Sequence, residues 1–131
     1  MRNVLLLAAA VAIMTAAAPL RAHHAFAAEF DGAKPVKLTG TVTKMDWINP
    51  HAWLHMDVKG PDGKVVSWMV EGGAPNALLR CGWNRRSVSP GTVVTVEGFR
   101  AKDGSTRASG GAVTLPDGTK LFIGAAPDEG K

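Results

Sequence analysis

All four histidines of the chain, His23, His24, His51 and His55, fall in one stretch, and none follows in the remaining residues up to Lys131. Neutral imidazole is the commonest transition-metal ligand, so a cluster of this kind points first to metal chemistry. The adjacent pair His23–His24 stands directly behind what reads as an export leader. If cleavage after Ala22 makes His23 the first residue, its free amine becomes a second nitrogen donor. That amine has an unperturbed pKa near 7.7, so a metal can displace its proton at neutral pH. Amine and Nδ1 of one residue close a chelate ring, and a further imidazole completes a T-shaped, all-nitrogen set. Planar nitrogen ligation suits Cu(II), which also heads the divalent affinity order.

The arrangement is similar in ligand chemistry to the histidine brace of unrelated secreted copper proteins. His51 and His55 compete for the remaining place. Pro50 and the alternating pattern around them argue against a helix, and along a strand four residues span about 13 Å, too far for one ion without a bend. His51, in the "INPHA" turn, can curl back toward the start; His55, on a strand, cannot easily follow. One of the two is therefore expected as the third ligand, with His24 or the other in support. Asp57 shares a strand face with His55 at about 7 Å and is the expected carboxylate behind that ring. Trp47 and Trp53 flank the turn and could form an apolar wall beside His51 or a stacking platform, and Asn49 shapes the turn that aims His51.

Little else in the chain carries chemistry. There is no G-x-S-x-G, no P-loop and no G-x-G-x-x-G after a strand. The seven aspartates, Asp31, Asp46, Asp57, Asp62, Asp103, Asp117 and Asp128, fall mostly in turns, where Asp is favoured for structural reasons. Cys81 is the only cysteine, has no partner for an internal disulfide, and in "NALLRCGW" reads as a small hydrophobe on a short helix. No catalytic residue is assigned, and a non-enzymatic binding protein is expected.

The elements that must position these residues begin with the leader. "MRNVLLLAAAVAIMTAAAPLRA" has an early Arg2, an uncharged apolar run and small residues at its exit, the pattern of a secretory signal. The run is roughly 15 residues, short of the ~20 of a spanning helix, so no membrane span is expected after its removal. Ala22 is the favoured cleavage residue; cleavage after Ala27 would discard both histidines of the pair, and cleavage after Ala17 would bury them in a longer start. The formal charge of +4 falls when Arg2 and Arg21 leave with the leader, which removes most of the case for a polyanion partner, and no nucleic acid is expected.

Residues 23–37 show few strand signals and read as a lead-in. From Leu38 the chain alternates: Leu38, Gly40 and Val42 against three threonines, with the apolar face then switching to Met45 and Trp47, which marks a bulge. "WLHMDV" (53–58) and "VVSWMVE" (65–71) form a hairpin across "KGPDGK". A short helix follows between Pro75 and Gly82. "TVVTVEGF" (92–99) and "GAVTLPDGTKLFIG" (111–124) supply the remaining strands. The expected fold is all-β, a five- to six-stranded OB-like barrel over residues 38–124 with one short helix, followed by a flexible tail at 125–131. Its core is expected from Leu38, Val42, Leu54, Met56, Val58, Val66, Trp68, Val70, Leu78, Leu79, Val94, Val96, Val113 and Leu121.

The stretches "HHAFAAEFD" (23–31), "LTGTVTKMDWINPHAWLHMDV" (38–58), Trp68 and "VEG" (70–72) together resemble a family of small exported proteobacterial proteins with a His-His start and an Asn-Pro-His motif, a domain of unknown function. The resemblance covers essentially the whole chain after the leader. It places His23, His24, Phe30, Asp31, Asn49, Pro50 and His51 in motif positions, and it implies an exported, periplasmic, single-domain protein without implying an activity. Two functions are carried forward: a periplasmic copper-binding protein using His23 and His51, and a non-catalytic OB-type module that binds a small molecule, a glycan or a periplasmic partner protein through Trp47, Trp53 and the turn at 48–52.

Overall fold

The computed structural model describes residues 26–124. The expected leader with its cleavage place, His23, His24 and the expected tail lie outside the described residues. One helical turn, α1 (26–29), leads into β1 (Phe30–Asp46), followed by β2 (Trp53–Lys59), β3 (Val65–Glu71), helix α2 (Pro75–Arg80), β4 (Val93–Ala101), β5 (Arg107–Thr114) and β6 (Lys120–Phe122). The strands lie in the order β3-β2-β1-β4-β5-β6, and β3 also pairs with β5 in parallel, so the first five close into a ring and β6 is added to β5. This is the expected OB-like barrel, with the helix between the third and fourth strands.

β1 is the longest strand because it serves two neighbours. Its first part, from Phe30 to Thr41, pairs with β4, and its last part, from Thr41 to Asp46, pairs with β2. The register shifts between Val42 and Lys44, which is the bulge that the switch of apolar face announces. The strand starts at Phe30, inside the segment expected as a lead-in. There it pairs on one side only, and Pro35, which lacks a ladder donor, is tolerated on such an edge.

Inside the ring, Val42, Leu54, Met56, Val70, Val94, Val96 and Val113 are fully buried. Phe30, Ala52, Trp83, Val88, Ala108 and Ile123 join the buried set without having been expected there. Trp83 is anchored by its indole N–H, which donates to the Phe122 carbonyl at 2.8 Å. Val66 and Leu79 are corrections: they are 39% and 53% exposed. β5 pairs with β3 only from Met69 to Glu71, which leaves the Val66 end of β3 outside the closed part of the ring, and α2 buries Leu78 and turns Leu79 outward. Val58 and Leu121 are only partly buried. Cys81 is the C-cap of α2, half-buried against the core, in keeping with the packing role expected of it.

The turn between β1 and β2 is tied down at its last residue. Ala52 N–H donates to the Gly73 carbonyl at 2.9 Å, and Gly72 N–H donates back to Ala52 at 2.8 Å. Gly72 is needed there because a Cβ would come within 2.9 Å of the Ile123 carbonyl oxygen. The close approach holds His51 over the end of β3.

Candidate functional site

Strand alternation puts Leu54 and Met56 inside and Trp53, His55 and Asp57 outside. Register then assembles two rows across the outer face. One runs Asp46, Trp53, Glu71, Ser109; the next runs Lys44, His55, Met69, Arg107. With the turn at 48–52 above them, these rows bring both of the described histidines to one side of the barrel.

His51 lies in a cleft of about 710 Å³ walled by Phe26, Glu29, Phe30, Pro50, Trp53, Met69, Glu71 and Arg107, among others. Its Nδ1 meets Glu71 Oε1 at 2.5 Å. With the carboxylate ionised and the ring neutral, Nδ1–H donates and Nε2 keeps its lone pair. A carboxylate behind a ring in this way fixes the tautomer and orientation that a metal ligand needs. The Glu71 side chain is only 14% exposed, and its second oxygen is buried with no partner among the described residues. Burial pushes its carboxyl above the ordinary value of 4.5; the charge on His51 opposes this, Glu29 adds to it and Arg107 opposes it.

Arg107 closes the cleft from β5. Its guanidinium lies 5.8 Å from the Trp53 ring and 5.9 Å from the Phe30 ring, and Nη2 donates to Glu29 Oε2 at 3.0 Å. Its Nε is buried without a partner among the described residues. Phe26 packs on Phe30 and edge-on to Phe99, so the chain enters the described structure on the wall of the cleft that holds His51.

His55 lies in a neighbouring hollow of about 460 Å³ with Thr43, Ser67, Met69 and Arg107. Met69 and Arg107 line both hollows. The carboxylate behind His55 is Asp46, not Asp57: His55 Nε2 and Asp46 Oδ2 are 2.9 Å apart, whereas Asp57 accepts from Ser67 Oγ at 2.8 Å. The cross-strand neighbour wins over the residue two places along the same strand because the bulge carries β1 past His55. Lys44 Nζ stands 3.2 Å from the same Asp46 oxygen. Desolvation works against the Asp46 charge, but hydrogen bonds and charge from His55 and Lys44 hold its carboxyl below the ordinary range.

Of the remaining expected residues, Trp53 lies beside His51, but Trp47 does not. Trp47 packs edge-on to Trp83 at 6.5 Å with Arg85 over its ring, because the bulge returns it to the apolar side. Asn49 is exposed, one residue ahead of the Pro50 that lines the cleft. Glu71, Asp46, Met69, Arg107 and Glu29 were missed. Their signal lies in strand register, which is not visible in spacing along one strand. Among the described residues no three of His, Cys, Asp and Glu gather as a metal-holding group, and no helix is long and apolar enough to cross a membrane.

No curated protein and no solved structure matches the chain. A family model does match, over residues 10–110, a span that ends midway along β5, and the chain belongs to that family, the Family of unknown function (DUF6152).

Proposed function

We propose that the protein is an exported, periplasmic binding module that takes Cu(II) at the His51 end of its cleft, with the His23 amine and ring completing a nitrogen set. The observation that carries this reading is the place of Phe26 on the wall of the cleft where Glu71 orients His51. His23 is three residues before Phe26, so chain geometry limits their Cα separation to about 11 Å. The described residues bring one oriented imidazole to this cleft, and His23 and His24 are the histidines that precede Phe26 along the chain. Glu71 Oε2, buried and without a partner among the described residues, adds a reason for positive charge to settle there. His24 would support the set; His55 sits in the next hollow and would not join it.

The test starts from the exported protein, its first residue read by intact mass, titrated with Cu(II) and followed by nitrogen hyperfine structure in electron paramagnetic resonance. Losing the ligand should cost more than losing the carboxylate behind it, whose removal typically costs about 10–100-fold, so His51→Ala should weaken Cu(II) by more than about 100-fold. Equal binding by wild type and His51→Ala, or a mature start at Ala28, would overturn the reading.

A second reading has its own support. The cleft has apolar walls, a volume in the range of small-molecule sites, and a guanidinium stacked on Trp53. It would serve a non-catalytic module that holds a small molecule, a glycan or a partner's side chain. Quenching of Trp53 fluorescence by such a ligand, unchanged in His51→Ala, would favour it over the copper reading.

A further inference from the structure

We propose that His55 and Met69 form a separate site for a soft monovalent metal ion, Cu(I) or Ag(I). Two residues make it: His55, which lines this hollow and not the cleft at His51, and Met69, which stands between the two. In the β2–β3 ladder His55 stands directly opposite Met69, and both side chains face outward into the hollow lined by Thr43 and Ser67. Directly opposed strand residues have Cβ atoms about 4.5–5.5 Å apart, within reach of one ion for a ring nitrogen and a flexible thioether.

Each donor is prepared for the task. Asp46 engages His55 Nε2 at 2.9 Å and Lys44 steadies Asp46, so the ring is fixed and Nδ1 is the nitrogen left with a lone pair. Nδ1 is also the ring nitrogen nearest the backbone, low against the sheet, where Met69 is the neighbour on the β3 side. Met69 is 37% exposed, whereas Met56, paired one step along the same ladder, is 1% exposed. A long apolar side chain standing on a row with Lys44, His55 and Arg107 contributes nothing to the interior. Thioether sulfur is a soft donor that favours Cu(I) over Zn(II) or Cu(II), while imidazole serves both classes. An imidazole with a thioether therefore selects the monovalent ion, just as an amine with imidazoles selects Cu(II).

This site does not depend on the His23–His51 reading, and the experiment separates the two. Ag(I), which undergoes no redox change, is titrated into the full chain carrying Cys81→Ser, so that the only thiol is absent, with the methionine methyl groups labelled with carbon-13. One equivalent should move the Met69 methyl resonance and leave those of Met45 and Met56 in place. Met69→Leu, which keeps the volume, and His55→Ala should each weaken Ag(I) by about tenfold or more, the scale of losing a part of a metal site, while His51→Ala leaves Ag(I) unchanged. Cu(II) binding should be the same in His55→Ala as in wild type, because His55 lines only the second hollow. Ag(I) binding that disappears with Cys81, survives Met69→Leu, or shifts Met45 or Met56 instead would overturn the proposal. Failure of Cu(II) with success of Ag(I) removes only the His51 reading, and the reverse removes only this one.

Discussion

His51 and His55 are four residues apart, share one side of the barrel, and each has a carboxylate behind it, yet the two pairs stand in opposite settings. Asp46 is held as an anion: hydrogen bonds and charge from His55 and Lys44 outweigh its desolvation. Glu71 is half-buried, with one oxygen fully covered and unpartnered among the described residues, and desolvation outweighs the cations nearby. The first pair is electrostatically complete without a ligand. The second is left with a carboxyl whose charge is disfavoured until more positive charge arrives. The ring in the first setting faces a carboxylate held as an anion; the ring in the second faces a carboxyl whose charge burial disfavours.

The largest effect should come from removing what the pairs share. Leu54 lies between Trp53 and His55, fully buried beneath both rows. Leu54→Ala should destabilise the fold by about 2–5 kcal/mol, measured by denaturant unfolding, and loosen both pairs together. If one pair kept its metal affinity while the other lost it, the common platform would be refuted.

Next come the two carboxylates. Glu71→Gln should weaken Cu(II) by about 10–100-fold, while Asp46→Asn leaves Cu(II) unchanged and weakens Ag(I). Equal effects of both changes on Cu(II) would erase the distinction between the hollows.

The smallest effect is on stability against pH. Glu71 has a folded-state pKa raised above 4.5, so its contribution is intact below that value and is lost as pH rises through the folded pKa. Glu71→Gln should remove this decline. Asp46 has a folded pKa below 3.8, so its contribution is present above that value and is lost as pH falls through the folded pKa. Asp46→Asn should remove that acid-side loss. Urea midpoints measured from pH 3 to pH 7 check both signs; matching slopes for the two variants would contradict the comparison.

The barrel was legible because its strands alternate strongly where both neighbours are present. Val42, Leu54, Met56, Val70, Val94 and Val96 follow the period of two, the change of face after Val42 marks the bulge, and Pro75 and Gly82 bracket the helix. The first part of β1 was hidden because a strand paired on one edge, with Asp31, Gly32 and Pro35 in it, needs no alternation. Trp47 was misplaced for the same reason that the bulge was recognised: the shift that reverses the strand's faces also takes this ring away from the turn.

The candidate site was legible in its histidines and not in their partners. Asp57 is nearest to His55 along the chain, but Asp46 is nearest in space, and the bulge decides which. Glu71 ends an alternating run and looks like an ordinary outward carboxylate until β2 sets it opposite Trp53 and the turn lowers His51 onto it. Met69 differs from Met56 only by which face of the sheet it occupies.

The central claim is that a free amine on His23 acts with His51 as one metal site. The measurement that meets it most directly is Cu(II) affinity of the exported protein starting at His23, compared with the same protein carrying one glycine inserted before His23. An extension by one residue leaves every ring in place and only separates the amine from its own imidazole. The account predicts that the extended protein loses nearly as much affinity as His23→Ala. Equal affinity in the two proteins, or no binding tighter than micromolar in either, would contradict it.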